Sequence, residues 1–74
     1  MQKYLFLCQL FQDDFSSTII DVSIPPDEIE YVVTEHAIRL FPDDEHLYYY
    51  NTEGDFVVDI ITNDVCLNRL VYSQ

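Results

Sequence analysis

Basic residues, glycine and cysteine are all scarce in this chain. Lys3, Arg39 and Arg69 are its only lysine and arginine side chains, set against fourteen acids for a formal net charge of -11. Such a balance excludes direct binding to nucleic acid or anionic membrane, because the summed field repels both and attracts cationic partners. A single glycine, Gly54, excludes a phosphate-cradling loop, which needs several glycines to bring backbone N–H groups up to the anion. Cys8 and Cys66 are the two cysteines, and both sit inside apolar runs, "FLCQLF" and "VCLNRLV". There a free thiol behaves as a small hydrophobe, with a single disulfide as the alternative. No apolar run approaches the roughly 20 residues of a membrane-spanning helix. The opening "KYLFLCQLF" is short and runs directly into "QDD", unlike a secretory leader. A reducing, cytoplasmic setting is therefore expected.

What is present argues for a folded body. Seventy-four residues make one domain, 1–74, and a chain of this size buries only about 60% of the surface it exposes when unfolded. Its hydrophobic fraction is 49%, with six tyrosines and five phenylalanines, more than a disordered acidic tail carries.

Periodicity assigns the elements. Residues 3–12, "KYLFLCQLFQ", are almost continuously apolar and suit a strand in the middle of a sheet, buried on both faces. "DDFSS" has turn composition. "TIIDVSI" (18–24) then alternates, with Ile20, Val22 and Ile24 on one face and Asp21 and Ser23 on the other, so the two strands form a hairpin. Ile29, Val32, Val33, His36, Ala37, Leu40 and Phe41 recur at helical spacing, after Pro25 and Pro26 and before Pro42. "LYYY" (47–50) and "FVVDIIT" (56–62) read as a hairpin around Gly54, and a turn at 63–64 leads to "VCLNRLVYS" (65–73). The order is β-β-α-β-β-β. One helix and about five strands predict a two-layer α+β fold with the helix across a mainly antiparallel sheet. The β-β-α-β-β portion is similar in element order to the β-grasp arrangement of ubiquitin-like domains.

Catalytic patterns are weak throughout. "DDEH" (43–46) has metal-ligand chemistry, but adjacent residues do not converge on one ion, and it reads as a solvated loop. His36 beside Glu35 diverges from it by about 100° around the helix and reads as a buried or boundary histidine bonded to backbone or to a tyrosine hydroxyl. Apolar surroundings raise the pKa of both thiols, and Ser16, Ser17 and Ser23 fit turns. No nucleophile, base and electrophile occur together, so the expectation is a non-enzyme without metal or cofactor.

The acids and tyrosines carry the functional expectation. Asp27, Glu28 and Glu30 favour a helix N-terminus, and Glu35 can pair with Arg39 four residues on. The other ten, Asp13, Asp14, Asp21, Asp43, Asp44, Glu45, Glu53, Asp55, Asp59 and Asp64, have no basic neighbour in sequence. Carboxylates two apart on a strand lie about 6.7 Å from one another, and those one helical turn apart about 5–6 Å, comparable to the spacing of phosphates along a nucleic-acid strand. Tyr49 must lie on one strand face and Tyr48 and Tyr50 on the other, and tyrosine suits both an interface and the completion of a small core. The partner-binding candidates are Asp13, Asp14, Asp43, Asp44, Glu45, Tyr48, Tyr50, Glu53 and Asp55.

In size, acidity and lack of a catalytic motif, the chain resembles the small phage-encoded anti-defence proteins, the anti-CRISPR and anti-restriction inhibitors, many of which imitate nucleic acid. That resemblance implies a non-enzymatic inhibitor acting in the host cytoplasm on a basic, nucleic-acid-handling protein of a defence complex. The alternative is a ubiquitin-like or adaptor-like module that binds through an apolar sheet or helix patch, its acidity serving solubility. Adaptation to high internal salt is a third reading of the acidity. A homodimer through an edge strand, "LYYY" or "VCLNRLVYS", is compatible with either binding role.

Overall fold

The computed structural model describes residues 3–10 and 15–73. Its elements are β1 (Tyr4–Leu10), β2 (Phe15–Asp21), a 3-10 turn (Pro26–Glu28), α1 (Ile29–Leu40), β3 (Glu45–Tyr50), β4 (Phe56–Thr62) and β5 (Val65–Ser73). The strands form one five-stranded sheet in the order β2-β1-β5-β4-β3, every neighbouring pair antiparallel. Four reversals across the sheet leave β2 and β3, its two edges, running in the same direction. The helix is the crossover between these edges and packs over β4 and β5.

Register divides the side chains between two faces, because residues paired across an antiparallel ladder share a side. Leu5, Tyr72, Phe56 and Tyr50 form one row on the helix side, and Leu7, Leu70, Val58 and Tyr48 form the next. Into these rows the helix sets Val33 and Ala37, both fully buried, with Ile29, Val32 and Phe41 packed around them. On the opposite side Ile19, Phe6, Val71, Val57 and Tyr49 make a band across all five strands.

Several elements depart from their expected form. The strand expected over 3–12 is described over Tyr4–Leu10, with Phe11 and Gln12 outside the described residues. It is interior to the sheet, yet only its Leu5 and Leu7 side faces the helix, so Phe6 is half-buried rather than enclosed. β2 starts and ends three residues earlier than the expected 18–24. It stops because Asp21 Oδ1 accepts the Ser23 N–H at 2.9 Å, a local turn that competes with the ladder. Val22 is left exposed while Ile24 turns back into the core. Leu40, expected on the buried stripe, is exposed. Glu35 and Arg39 do not form an ion pair; Glu35 instead lies beside Tyr31, whose hydroxyl pKa it raises.

The connections follow turn chemistry. Gly54 has φ +84° and donates its N–H to the Asn51 carbonyl, while the Asn51 N–H donates to the Asp55 carbonyl. This is a three-residue hairpin loop closed by a left-handed glycine. Asn63 and Asp64, both at positive φ, form the two-residue turn between β4 and β5. Nothing lies within 4 Å of a Cβ built on Gly54, so a substitution there costs backbone strain alone. Gly54→Ala is expected to lower unfolding stability by about 1–2 kcal/mol, and Gly54→Asn by less, in urea titrations followed by circular dichroism.

Candidate protein-binding surface

β3 is largely exposed. Leu47, Tyr48, Tyr49 and Tyr50 are 54%, 45%, 38% and 56% exposed. All three tyrosines therefore reach solvent, Tyr48 and Tyr50 because α1 crosses the central strands and leaves this edge uncovered, and Tyr49 because its face carries no helix. Tyr48 and Tyr50 lie on the helix side, where Tyr50 tilts against Phe56 at 5.1 Å between ring centres. The Tyr50 hydroxyl donates to Glu30, which raises its pKa. Between Tyr50 and the start of the helix lies an open groove of about 620 Å³ walled by Pro26, Asp27, Glu30 and Thr34. Tyr49 lies on the helix-free side and donates its hydroxyl to Asp59 at 3.0 Å.

The candidate acids separate into two groups. Asp43, Asp44 and Glu45 stand at the start of β3, where the Glu45↔Ile61 pairing also brings the turn carrying Asp64 to the same end of the sheet. Glu53 and Asp55 stand beyond its other end next to Tyr50, whose hydroxyl reaches Glu30 at the start of the helix. Five residue steps from Glu45 to Tyr50 separate the groups by about 17 Å. Tyr48 lies between them. Asp13 and Asp14 lie outside the described residues. Glu30 entered the sequence reading only as a favourable charge on a helix terminus; its proximity to Tyr50 is tertiary, and no local signal marks it.

Two acids expected to lack partners have them. Asp59 accepts from Arg69 across β4 and β5, with the Asp59 side chain 13% exposed. The carboxylate raises the Arg69 pKa, and Arg69 in turn makes the only charge pair set within the sheet among the described residues. Asp21 lies 3.4 Å from His36 Nε2, so the partner of His36 is a carboxylate rather than backbone or a tyrosine. His46 of the "DDEH" run donates from Nε2 to the Phe41 carbonyl at 2.9 Å, which ties the start of β3 to the helix end. Cys8 and Cys66 are free thiols on the helix-free side, and burial pushes both pKa values up, with Asp59 adding to the effect at Cys66. Among the described residues no three His, Cys, Asp or Glu side chains converge as metal ligands, and no helix is long and apolar enough to cross a membrane.

Arg69→Met is expected to cost about 1–3 kcal/mol, since it leaves the Asp59 carboxylate half-buried without its cation. Asp59→Leu combined with Arg69→Met should recover most of that loss in the same denaturation assay. Asp21 has its pKa lowered, first by the Ser23 N–H and then by His36. Its stabilisation is therefore complete above the ordinary carboxylate pKa and is lost as pH falls through the lowered one. The stability gap between the native chain and Asp21→Asn should hold at about pH 5 and shrink below about pH 4, measured by denaturation at stepped pH. No family model, no curated protein and no solved structure matches this chain.

Proposed function

We propose that this protein is a non-enzymatic inhibitor that occupies the basic nucleic-acid-binding surface of a target protein, such as a CRISPR-Cas or restriction component, by acidic nucleic-acid mimicry. The observation that carries the reading is uncompensated charge. Fourteen acids less Asp13 and Asp14 leave twelve among the described residues, and of these only Asp59, beside Arg69, and Asp21, beside the His36 imidazole, have a basic side chain within 4.0 Å. The rest face solvent or its margin, with Asp43, Asp44 and Glu45 at one end of β3 and Glu30, Glu53 and Asp55 at the other. A surface built of lysine and arginine to hold phosphates is attracted to this field before contact and releases its counterions on binding. The exposed tyrosines add rigid apolar area and faces on which arginine stacks. The setting that goes with this role is the host cytoplasm.

A second reading draws on the helix-free side of the sheet. Ile19 is 52% exposed there, beside half-buried Phe6 and Val71, and Leu47 on the far edge is 54% exposed. This band is the apolar patch that an adaptor-like interaction module would use, with acidity keeping the remaining surface soluble.

The test immobilises the chain, captures cationic nucleic-acid-binding proteins from host lysate, elutes with a salt gradient, and assays each eluted protein for loss of DNA or RNA binding when the chain is added back. Mimicry predicts elution between about 50 and 500 mM salt, over which the screening length of exposed charges falls from more than about 10 Å to about 4 Å. It also predicts that neutralising Asp43, Asp44 and Glu45, or Glu53 and Asp55, or Asp13 and Asp14, to their amides weakens binding about tenfold or more per set. Capture that is indifferent to salt and to all three sets, but lost on Ile19→Asp, would overturn mimicry in favour of the apolar-band module.

A further inference from the structure

We infer that the free edge of β3 is a docking site for an extended segment of a partner protein, one with lysine or arginine at both ends and a short apolar or β-branched stretch between them. The inference rests on the reading of a cationic partner and adds where and how that partner is held.

Backbone pairing identifies the free groups. Opposed residues of an antiparallel ladder alternate between bonded and non-bonded pairs. The Asn51 N–H donates to the Asp55 carbonyl, and β3 runs from there against β4 without a bulge. Tyr49, Leu47 and Glu45 therefore bond to β4, whereas His46, Tyr48 and Tyr50 direct their N–H and C=O groups to the open side. Natural sheets blunt such edges with lysine, proline or a bulge. β3, "EHLYYY", has none of these, and its apolar side chains are exposed on both faces. The other edge, β2, carries the polar run Ser16, Ser17 and Thr18.

Charge selects the occupant. A strand laid along β3 starts beside Asp43, Asp44 and Glu45 and finishes beside Glu30, Glu53 and Asp55. Cationic side chains about five or six residues apart meet both groups, because each strand residue advances about 3.3 Å. Between them, alternate side chains rest on Tyr48 and Tyr50 on one face and on Leu47 and Tyr49 on the other. A second copy is the wrong occupant. Paired antiparallel, it sets Glu45 of one β3 against the Glu53 and Asp55 end of the other; paired in parallel, it stacks like ends together, and β3 offers no cation to offset either.

The experiment titrates the isotope-labelled full chain with the peptide Lys-Arg-Val-Thr-Val-Thr-Arg-Lys and follows backbone amide shifts by NMR. Shifts centred on residues 45–50 are expected, together with an affinity that falls as salt rises. The same peptide N-methylated at its four central amides should bind about tenfold or more weakly, since it keeps its charge and loses its ladder bonds. A version with glutamate at both ends should not bind. Tyr48→Pro, which removes an outward N–H and spares the bonds to β4, should abolish the shifts, and Tyr48→Phe should retain them. Equal binding of the methylated and unmethylated peptides overturns the docking edge while leaving electrostatic mimicry standing. Shifts outside β3, or none at millimolar peptide, also overturn it. Shifts of residues 45–50 that grow with protein concentration alone and with added salt assign the edge to a second copy instead.

Discussion

A helix of twelve residues is about 18 Å long and about 10 Å across, so laid over five strands spaced about 4.8 Å apart it covers the middle of one face and nothing else. Most of the molecule's character follows from this mismatch. The fully enclosed side chains, Leu5, Val33, Ala37, Val58, Ile60 and Leu70, lie where helix and sheet meet. Away from that line the burial fades, leaving half-exposed tyrosines at the β3 edge and an apolar band on the side that no helix reaches. A chain this small has no further layer to cover those surfaces.

Charge is arranged around the same geometry. Among the described residues the enclosed core holds no acid, and within the sheet Asp59 is held by Arg69 and Tyr49. Among the described residues the remaining carboxylates, apart from Glu35 in the middle of α1, occupy the helix entry, the turns and the strand ends, where water screens them and their mutual repulsion costs least. Concentration of acid at both ends of β3 is a by-product of topology: the loop entering the strand and the hairpin leaving it both require polar residues, and both are acidic. The result is an apolar, hydrogen-bond-capable edge between two anionic ends, a chemistry suited to a cationic partner.

Mimicry and edge pairing make different demands on the partner. Mimicry needs only a basic surface, and its contribution lies mostly in rate of encounter and in salt dependence. Pairing along β3 needs an accessible extended segment and contributes direction and register. In the proposed complex one surface serves both demands, with carboxylates guiding the approach and backbone groups fixing the docked state.

Local signals in the sequence were enough for the element order, a helix between Pro26 and Pro42, the left-handed role of Gly54 and the turn at Asn63 and Asp64, but not for the 3-10 turn that precedes the helix. Each depends on neighbours within a few residues, through side-chain periodicity or backbone sterics. Tertiary structure decided what depends on strand order. It made β3 an edge and β5 an interior strand, so that "VCLNRLVYS" is no edge for pairing. It joined Asp59 to Arg69, Asp21 to His36 and Tyr50 to Glu30, residues ten, fifteen and twenty apart. It also split the candidate acids into two groups, because a strand holds its ends apart however close they stand in the chain. Sequence spacing reports which residues share a face; which faces are covered, and by what, is set only when the strands take their places beside one another.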